Sequence, residues 1–269
     1  MEFYNQTEEL LNFTEKDNKK KKKLAKLISI TSGKGGVGKS NLILNLAIAM
    51  SIRGKKVLVI DADMNLSNLD ILLGIYPEYT LKNLMDDIVS VEKLLIDGPK
   101  GIKILPAASG DIKVMNNLRQ AQKVLIQAYM ELRTKFDYIL IDTGAGISDF
   151  TVDFVINSEK IIIVTTPEPT AITDAYAMIK VLHYRIKSPD ISVLINLVQT
   201  DEEGKKIYKK IKMIVEHFLN KGIKYAGNIP QDKRVSEAVK EQMPVIIKHP
   251  RSLASANIHN IAISILKEG

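Results

Sequence analysis

The segment Thr31-Ser32-Gly33-Lys34-Gly35-Gly36-Val37-Gly38-Lys39-Ser40 constrains the fold of this chain more than any other stretch. Its spacing, Gly33-x4-Gly38-Lys39-Ser40, is that of a phosphate-binding loop. Such a loop works between a strand and a helix. The β-prone run Leu27-Ile28-Ser29-Ile30 precedes it, and the helix-periodic apolar segment from Asn41 to Met50 follows. Glycines let backbone N–H groups close around phosphate oxygens, the helix presents its positive N-terminal end, and Lys39 adds a point charge. Ser40 is placed to put its hydroxyl on Mg²⁺. The unit predicts an α/β fold, with a doubly wound, mainly parallel sheet flanked by helices.

The second lysine narrows the reading. A generic phosphate loop leaves that position open, whereas Lys34-Gly35-Gly36-Val37-Gly38-Lys39-Ser40 matches the deviant Walker A form KGGxGK[ST]. On these residues the chain resembles the MinD/ParA (SIMIBI-class) family of dimerising P-loop ATPases, over residues 26 to 266. In that family the equivalent of Lys34 reaches across a dimer to the partner's nucleotide. The resemblance therefore implies an ATP-dependent homodimer. ATP would lie against Gly33, Lys34, Gly35, Gly36, Val37, Gly38, Lys39, Ser40 and Asn41, with Lys34 and Lys39 offsetting phosphate charge.

Two further strands end in carboxylates. Lys56-Val57-Leu58-Val59-Ile60-Asp61 and Phe136-Asp137-Tyr138-Ile139-Leu140-Ile141-Asp142 read as buried parallel strands, whose C-terminal ends are where ligands gather. Loop carboxylates commonly cap helices. Beside a phosphate loop, however, this spacing favours chemistry. The run Asp61 to Asp70 looks like the family's switch I, and Asp142 holds the Walker B position. The resemblance gives Asp63 the attacking water, and gives Ser40, Asp61 and Asp142 the Mg²⁺. Gly144 and Gly146 would let the following loop move.

Pro167-Glu168-Pro169-Thr170-Ala171-Ile172-Thr173-Asp174-Ala175-Tyr176 resembles the family's TxPEPTxxxDAY segment. Glu168 and Asp174 carry no assigned chemistry there and are candidates for the dimer face, as is the small-residue loop Ala107-Ala108-Ser109-Gly110. Asn196 ends an apolar strand. It is either a solvated strand-end amide or, as the resemblance implies, the reader of the adenine edge. Gly227-Asn228-Ile229-Pro230-Gln231-Asp232 matches the family's G-x-I-P-x-D loop, which places Pro230 and Asp232 beside the adenine.

The length of 269 residues with 45% hydrophobic content suits one ATPase domain over 24–269, preceded by an appendage at 1–23. No cysteine is present, so disulfides and thiolate metal sites are excluded, and the four histidines lack metal-ligand spacing. No apolar run spans a membrane and no secretory leader is evident, so a cytoplasmic location is expected, peripheral to the membrane at most. The net charge of +7 concentrates only at Lys19 to Lys23, a solvated linker or a contact surface for lipid or nucleic acid. Phe3, Leu10, Leu11 and Phe13 outline a short amphipathic segment before it. Asn5-Gln6-Thr7-Glu8-Glu9-Leu10-Leu11 is similar, at Gln6 and Leu10, to the DQAxxLR segment of the flagellar-number regulators called FlhG, FleN or YlxH. That similarity implies a flagellar GTPase of the FlhF type, or basal-body and regulatory proteins, as partners. A ParA-like DNA-partitioning role and a MinD-like division-site role stay open, with nucleic acid the weaker partner for want of a helix-turn-helix.

Overall fold

The computed structural model describes residues 23–63, 69–106 and 111–268. The N-terminal segment through residue 22, residues 64–68 of the switch I run and the loop 107–110 lie outside the described residues. Strand β1 (Lys26–Thr31) leads through the phosphate loop into α1 (Lys39–Ser51), and β2 (Val57–Ala62) follows. Short helices α2 (Leu69–Leu73), α3 (Leu81–Met85) and α4 (Val91–Leu94) reach β3 (Ile96–Asp97), a 3₁₀ turn at Pro99–Gly101, and β4 (Lys103–Leu105). Then come α5 (Ile112–Asn116), α6 (Leu118–Leu132), β5 (Tyr138–Thr143), α7 (Asp149–Val155) and β6 (Lys160–Thr165). The chain closes with α8 (Pro169–Arg185), β7 (Ile191–Val198), α9 (Asp201–Leu219), β8 (Lys224–Pro230), α10 (Lys233–Lys240), α11 (Val245–Lys248) and α12 (Leu253–Lys267).

The eight strands form one sheet in the order β3-β4-β2-β5-β1-β6-β7-β8. All neighbours pair in parallel except β3 with β4, as expected of a mainly parallel sheet. The chain leaves β1 towards one edge and returns to its other side at β6. The crevice beyond β1 is thus the point where strand order reverses, the place where open α/β sheets bind ligands.

Alternation along the strands sorts side chains into layers. Ile28 and Ile30 of β1, Val57 and Val59 of β2, and Ile162 and Val164 of β6 pack with α1 and α12 on one face. Leu27, Leu58, Ile60, Ile139 and Ile141 meet the α6 side of the other face, and Ile161, Ile163, Val193 and Ile195 meet α8 and α9. Helix α1 is buried nearly all round, from Leu42 to Met50, because it is clasped between the sheet and α12.

Caps rather than apolar period set several boundaries. Helix α9 begins at Asp201, six residues before its apolar period starts at Ile207, because Thr200 caps it, its hydroxyl accepting from the Glu203 N–H at 3.2 Å. Helix α3, capped by Thr80, stops at Met85, and Asp87 takes a left-handed φ of 53°. The two-residue β3 is too short to show a period.

Within the buried stretch of α1 from Leu42 to Met50, Asn45 is the one polar residue. Its amide donates to the Asn41 carbonyl at 2.8 Å, and its carbonyl oxygen accepts from the Ile246 N–H at 3.0 Å, tying α1 to the start of α11. Replacing it with alanine strands a buried N–H. We expect Asn45→Ala to lower the unfolding free energy by about 2 kcal/mol in chemical denaturation; a midpoint unchanged from wild type would contradict this role.

Candidate functional site

The phosphate loop spans the gap from β1 to α1 and is braced from several sides. Gly36 and Gly38 take left-handed φ values of 78° and 84°, which favour glycine. Gly33 is needed for a different reason: a Cβ there would lie 2.3 Å from the backbone oxygen of Asp174 on α8. Asn196, at the end of β7, donates its amide to the Val37 carbonyl at 2.8 Å, and a Cβ on Gly38 would sit 2.5 Å from that same nitrogen. The Ser32 hydroxyl donates to the Lys34 carbonyl at 2.9 Å, and the Ser32 carbonyl accepts from the Gly146 N–H at 2.9 Å. In contrast, Cβ atoms built on Gly35 and Gly36 meet nothing within 4 Å. The loop is therefore held rigidly from behind and open in front.

That open front is a cavity of about 370 Å³ lined by Gly35, Gly36, Lys39, Ser40, Asn41 and Asp63, with Ile71 and Val239 among the apolar residues at its walls. The first turn of α1 has no side-chain cap and no acidic residue, so its N–H groups face the cavity unopposed. Lys39 and Asp142 form a buried ion pair at 8% and 1% exposure. Asp61 and Asp142 sit directly across from each other in the β2–β5 register, at the carboxyl ends of both strands. One Asp61 oxygen accepts from the Asp63 N–H at 3.0 Å and the other from the Leu69 N–H at 3.5 Å, so this carboxylate also shapes the start of the switch segment. Asp63 points its carboxylate over Gly144, 3.6 Å from where a Cβ would stand.

Burial pushes the Asp142 carboxyl above the ordinary carboxylate range. Lys39 and a hydrogen bond from Ser40 pull it back, and the charge of Asp63 raises it further. The donor set fits a nucleotide phosphate chain with a hard divalent cation: N–H groups and an ammonium for phosphate oxygens, a hydroxyl and two carboxylates for the metal or its water shell. Among the described residues no group of three or more His, Cys, Asp or Glu side chains could hold a metal ion.

Other residues singled out in the sequence stand elsewhere. Lys34 is outside its own cavity. Its ammonium donates to Glu168 at 2.6 Å and to the Thr170 hydroxyl at 3.2 Å, on an exposed surface. Asp232 caps α10 through the Arg234 N–H at 3.0 Å and reaches the Ala254 N–H of α12 at 3.4 Å, while Pro230 ends β8 opposite Val198. Neither lines the phosphate cavity, nor does Asn196. Sequence reasoning missed Glu168 and Thr170 as partners of Lys34. Their flanking prolines were the available signal, since they fix the turn that presents both side chains.

The glycines separate by role. Gly33→Ala should cost about 2 kcal/mol of stability through the clash with α8, whereas Gly35→Ala should stay within about 0.5 kcal/mol of wild type yet weaken binding of a fluorescent ATP analogue. Equal stability loss in both variants would refute this division.

The ion pair makes a pH-dependent prediction. A carboxyl whose pKa is raised in the folded state binds its proton more tightly there than in the unfolded chain, so the stability it costs is fully present above its folded pKa and is relieved as pH falls from there towards its unfolded pKa. Lys39→Ala removes the balancing charge. Its deficit relative to wild type should be about 3 kcal/mol at pH 8 and clearly smaller at pH 5, measured by denaturation at both values. A deficit that grows on acidification would show that Asp142 is not the group responsible.

Comparison with known proteins accords with this geometry. The family described as "ParA: NUBPL iron-transfer P-loop NTPase" matches residues 23–266. The chain is 38% identical over 236 residues to the antiactivator FleN of Pseudomonas aeruginosa, covering 88% of this chain and 84% of that protein. It is 35% identical to the flagellum site-determining protein YlxH of Helicobacter pylori, covering 88% and 80% respectively. Among solved structures it is similar to the septum site-determining protein MinD of Pyrococcus horikoshii OT3, complexed with Mg-ADP, at a TM-score of 0.76 and 26% identity over 90% of this chain and 96% of that one. The chain has no cysteine, so thiolate ligation of iron is outside its chemistry. With its phosphate loop at the switch point of a parallel sheet and carboxylates on the neighbouring strand ends, the chain belongs to the ParA/MinD family of P-loop NTPases.

Proposed function

We propose that this protein is an ATP-hydrolysing switch that sets flagellar number or placement, closing into a homodimer with ATP and opening after hydrolysis. The observation that supports the chemistry is that Lys39, Ser40 and Asp63 line one phosphate-sized cavity, with Asp142 paired to Lys39 behind it and Asp61 across from Asp142 in the sheet. The pathway rests on the FleN and YlxH relatives, each aligned over 88% of the chain.

In this reading the α1 N–H groups and Lys39 bind the phosphates of ATP. Lys39 must exchange Asp142 for phosphate oxygen as it does so, which frees the Asp142 carboxylate. Ser40, Asp61 and Asp142 would then hold Mg²⁺, which would supply charge neutralisation to the phosphates. Asp63 holds the attacking water, and the Gly144 beneath it leaves room for the carboxylate to move. Lys34 lies outside its own cavity, in keeping with action on the nucleotide of a partner protomer. Asn196 serves as a brace for the loop from β7, and adenine recognition by Asn196, Pro230 and Asp232 is part of the proposal. Among the described residues no helix is long and apolar enough to cross a membrane.

Asp63→Ala should lower turnover by on the order of 100-fold while leaving an ATP-dependent dimer that persists in size-exclusion chromatography with light scattering. Cells carrying that variant, and cells lacking the gene, should both show altered flagellar number or placement by electron microscopy. Normal flagella in both, with mis-segregated DNA or misplaced septa, would retain the switch and reject the pathway. Unchanged turnover would reject the role of Asp63.

A further inference from the structure

A second hollow lies between α8 and α9, far larger than a water site at about 900 Å³. Its floor is apolar, with Ile172 and Tyr176 from α8 and Ile207 and Ile211 from α9. Its rim is basic. Lys206, Lys209 and Lys210 are exposed and make no ion pair among the described residues, while Glu203, the acidic member, is engaged by the Gln199 N–H at 2.6 Å. Met213 stands 64% exposed at the edge. An apolar trough under a positive rim fits an amphipathic segment that carries acids beside its apolar residues.

This chain contains such a segment. Residues 2 to 15 hold Glu2, Glu8, Glu9 and Glu15 with no Lys or Arg, together with Phe3, Leu10, Leu11 and Phe13. The linker from Lys16 to Lys22 can extend about 24 Å. Lys23 enters β1 at the sheet edge where α8 ends, since β1 and β6 run parallel and α8 returns between β6 and β7. Helix α8 is about 25 Å long at 1.5 Å per residue, so the tether matches the distance along the groove. We propose that, in the nucleotide-free protein, residues 2–15 dock into the α8–α9 groove of their own chain, with Glu8 and Glu9 facing Lys206 and Lys210. The groove begins at Pro167 and Pro169, on either side of Glu168. A docked segment therefore rests against the turn that holds Lys34.

The chain has no cysteine, so paired cysteines report without background. Full-length Leu11→Cys/Met213→Cys protein, without nucleotide, is treated with a short bismaleimide, and products within one chain are separated from products between chains by mass. The within-chain rate should exceed that of Leu11→Cys/Ile88→Cys by about tenfold, as expected for a docked rather than freely tethered segment; Ile88 is an exposed site outside the groove. Lys206→Glu/Lys210→Glu should cut the rate about fivefold, and adding Glu8→Lys/Glu9→Lys should restore it. Equal rates for the two cysteine pairs, cross-links only between chains, or no restoration by the double charge reversal would each overturn the proposal, the second of these by making a second copy the occupant.

Discussion

The ammonium of Lys39 and the carboxylate of Asp142 meet at the carboxyl edge of the sheet, both nearly excluded from water. Desolvating two charges is costly, and a buried pair of this kind is weak evidence for stability. In the proposed reading the pair is exchangeable: a triphosphate entering the cavity would offer Lys39 a stronger anionic partner, and a cation beside it would offer Asp142 a stronger cationic one. Burial raises Asp142, and Lys39 counters the shift.

For that exchange to work, the loop carrying Lys39 has to stay fixed while its front stays empty. Three separate elements hold it: the Asp174 backbone pressed on Gly33, the Asn196 amide on the Val37 carbonyl, and the Gly146 N–H on Ser32. They come from α8, the end of β7 and the loop after β5. Asn196 shows how one side chain serves two demands: buried at a strand end, its amide must find an acceptor, and the loop carbonyl beside it is that acceptor. Preorganised donors of this sort bind phosphate without first paying to order the loop.

Lys34 follows another logic. Its side chain stays out of the cavity and settles on Glu168 and Thr170. An exposed contact of this kind contributes little to stability and is easily released. The Pro-Glu-Pro turn that offers Glu168 also opens the groove between α8 and α9, so the surface beside the loop and the lysine that leaves it share one short segment.

How much of this was legible in the sequence depends on how local each feature is. The phosphate loop, the buried strands and their terminal aspartates were readable because period, glycine spacing and chain direction are properties of neighbouring residues. The start of helix α9 is not legible in the apolar period, because its cap at Thr200 precedes that period, and β3 is not, because two residues show no period at all. The link from Asn45 to Ile246, 201 positions apart, and that from Asn196 to Val37, 159 apart, could not be seen in either segment alone. The sequence by itself determined the fold class and the chemistry of the loop, since both are written in short-range pattern. Only the tertiary structure decided that Lys39 faces Asp142, that Lys34 turns away to Glu168, and that Asn196 braces the loop. The reason is that side-chain direction and partner are set by packing between elements that the chain brings together from far apart.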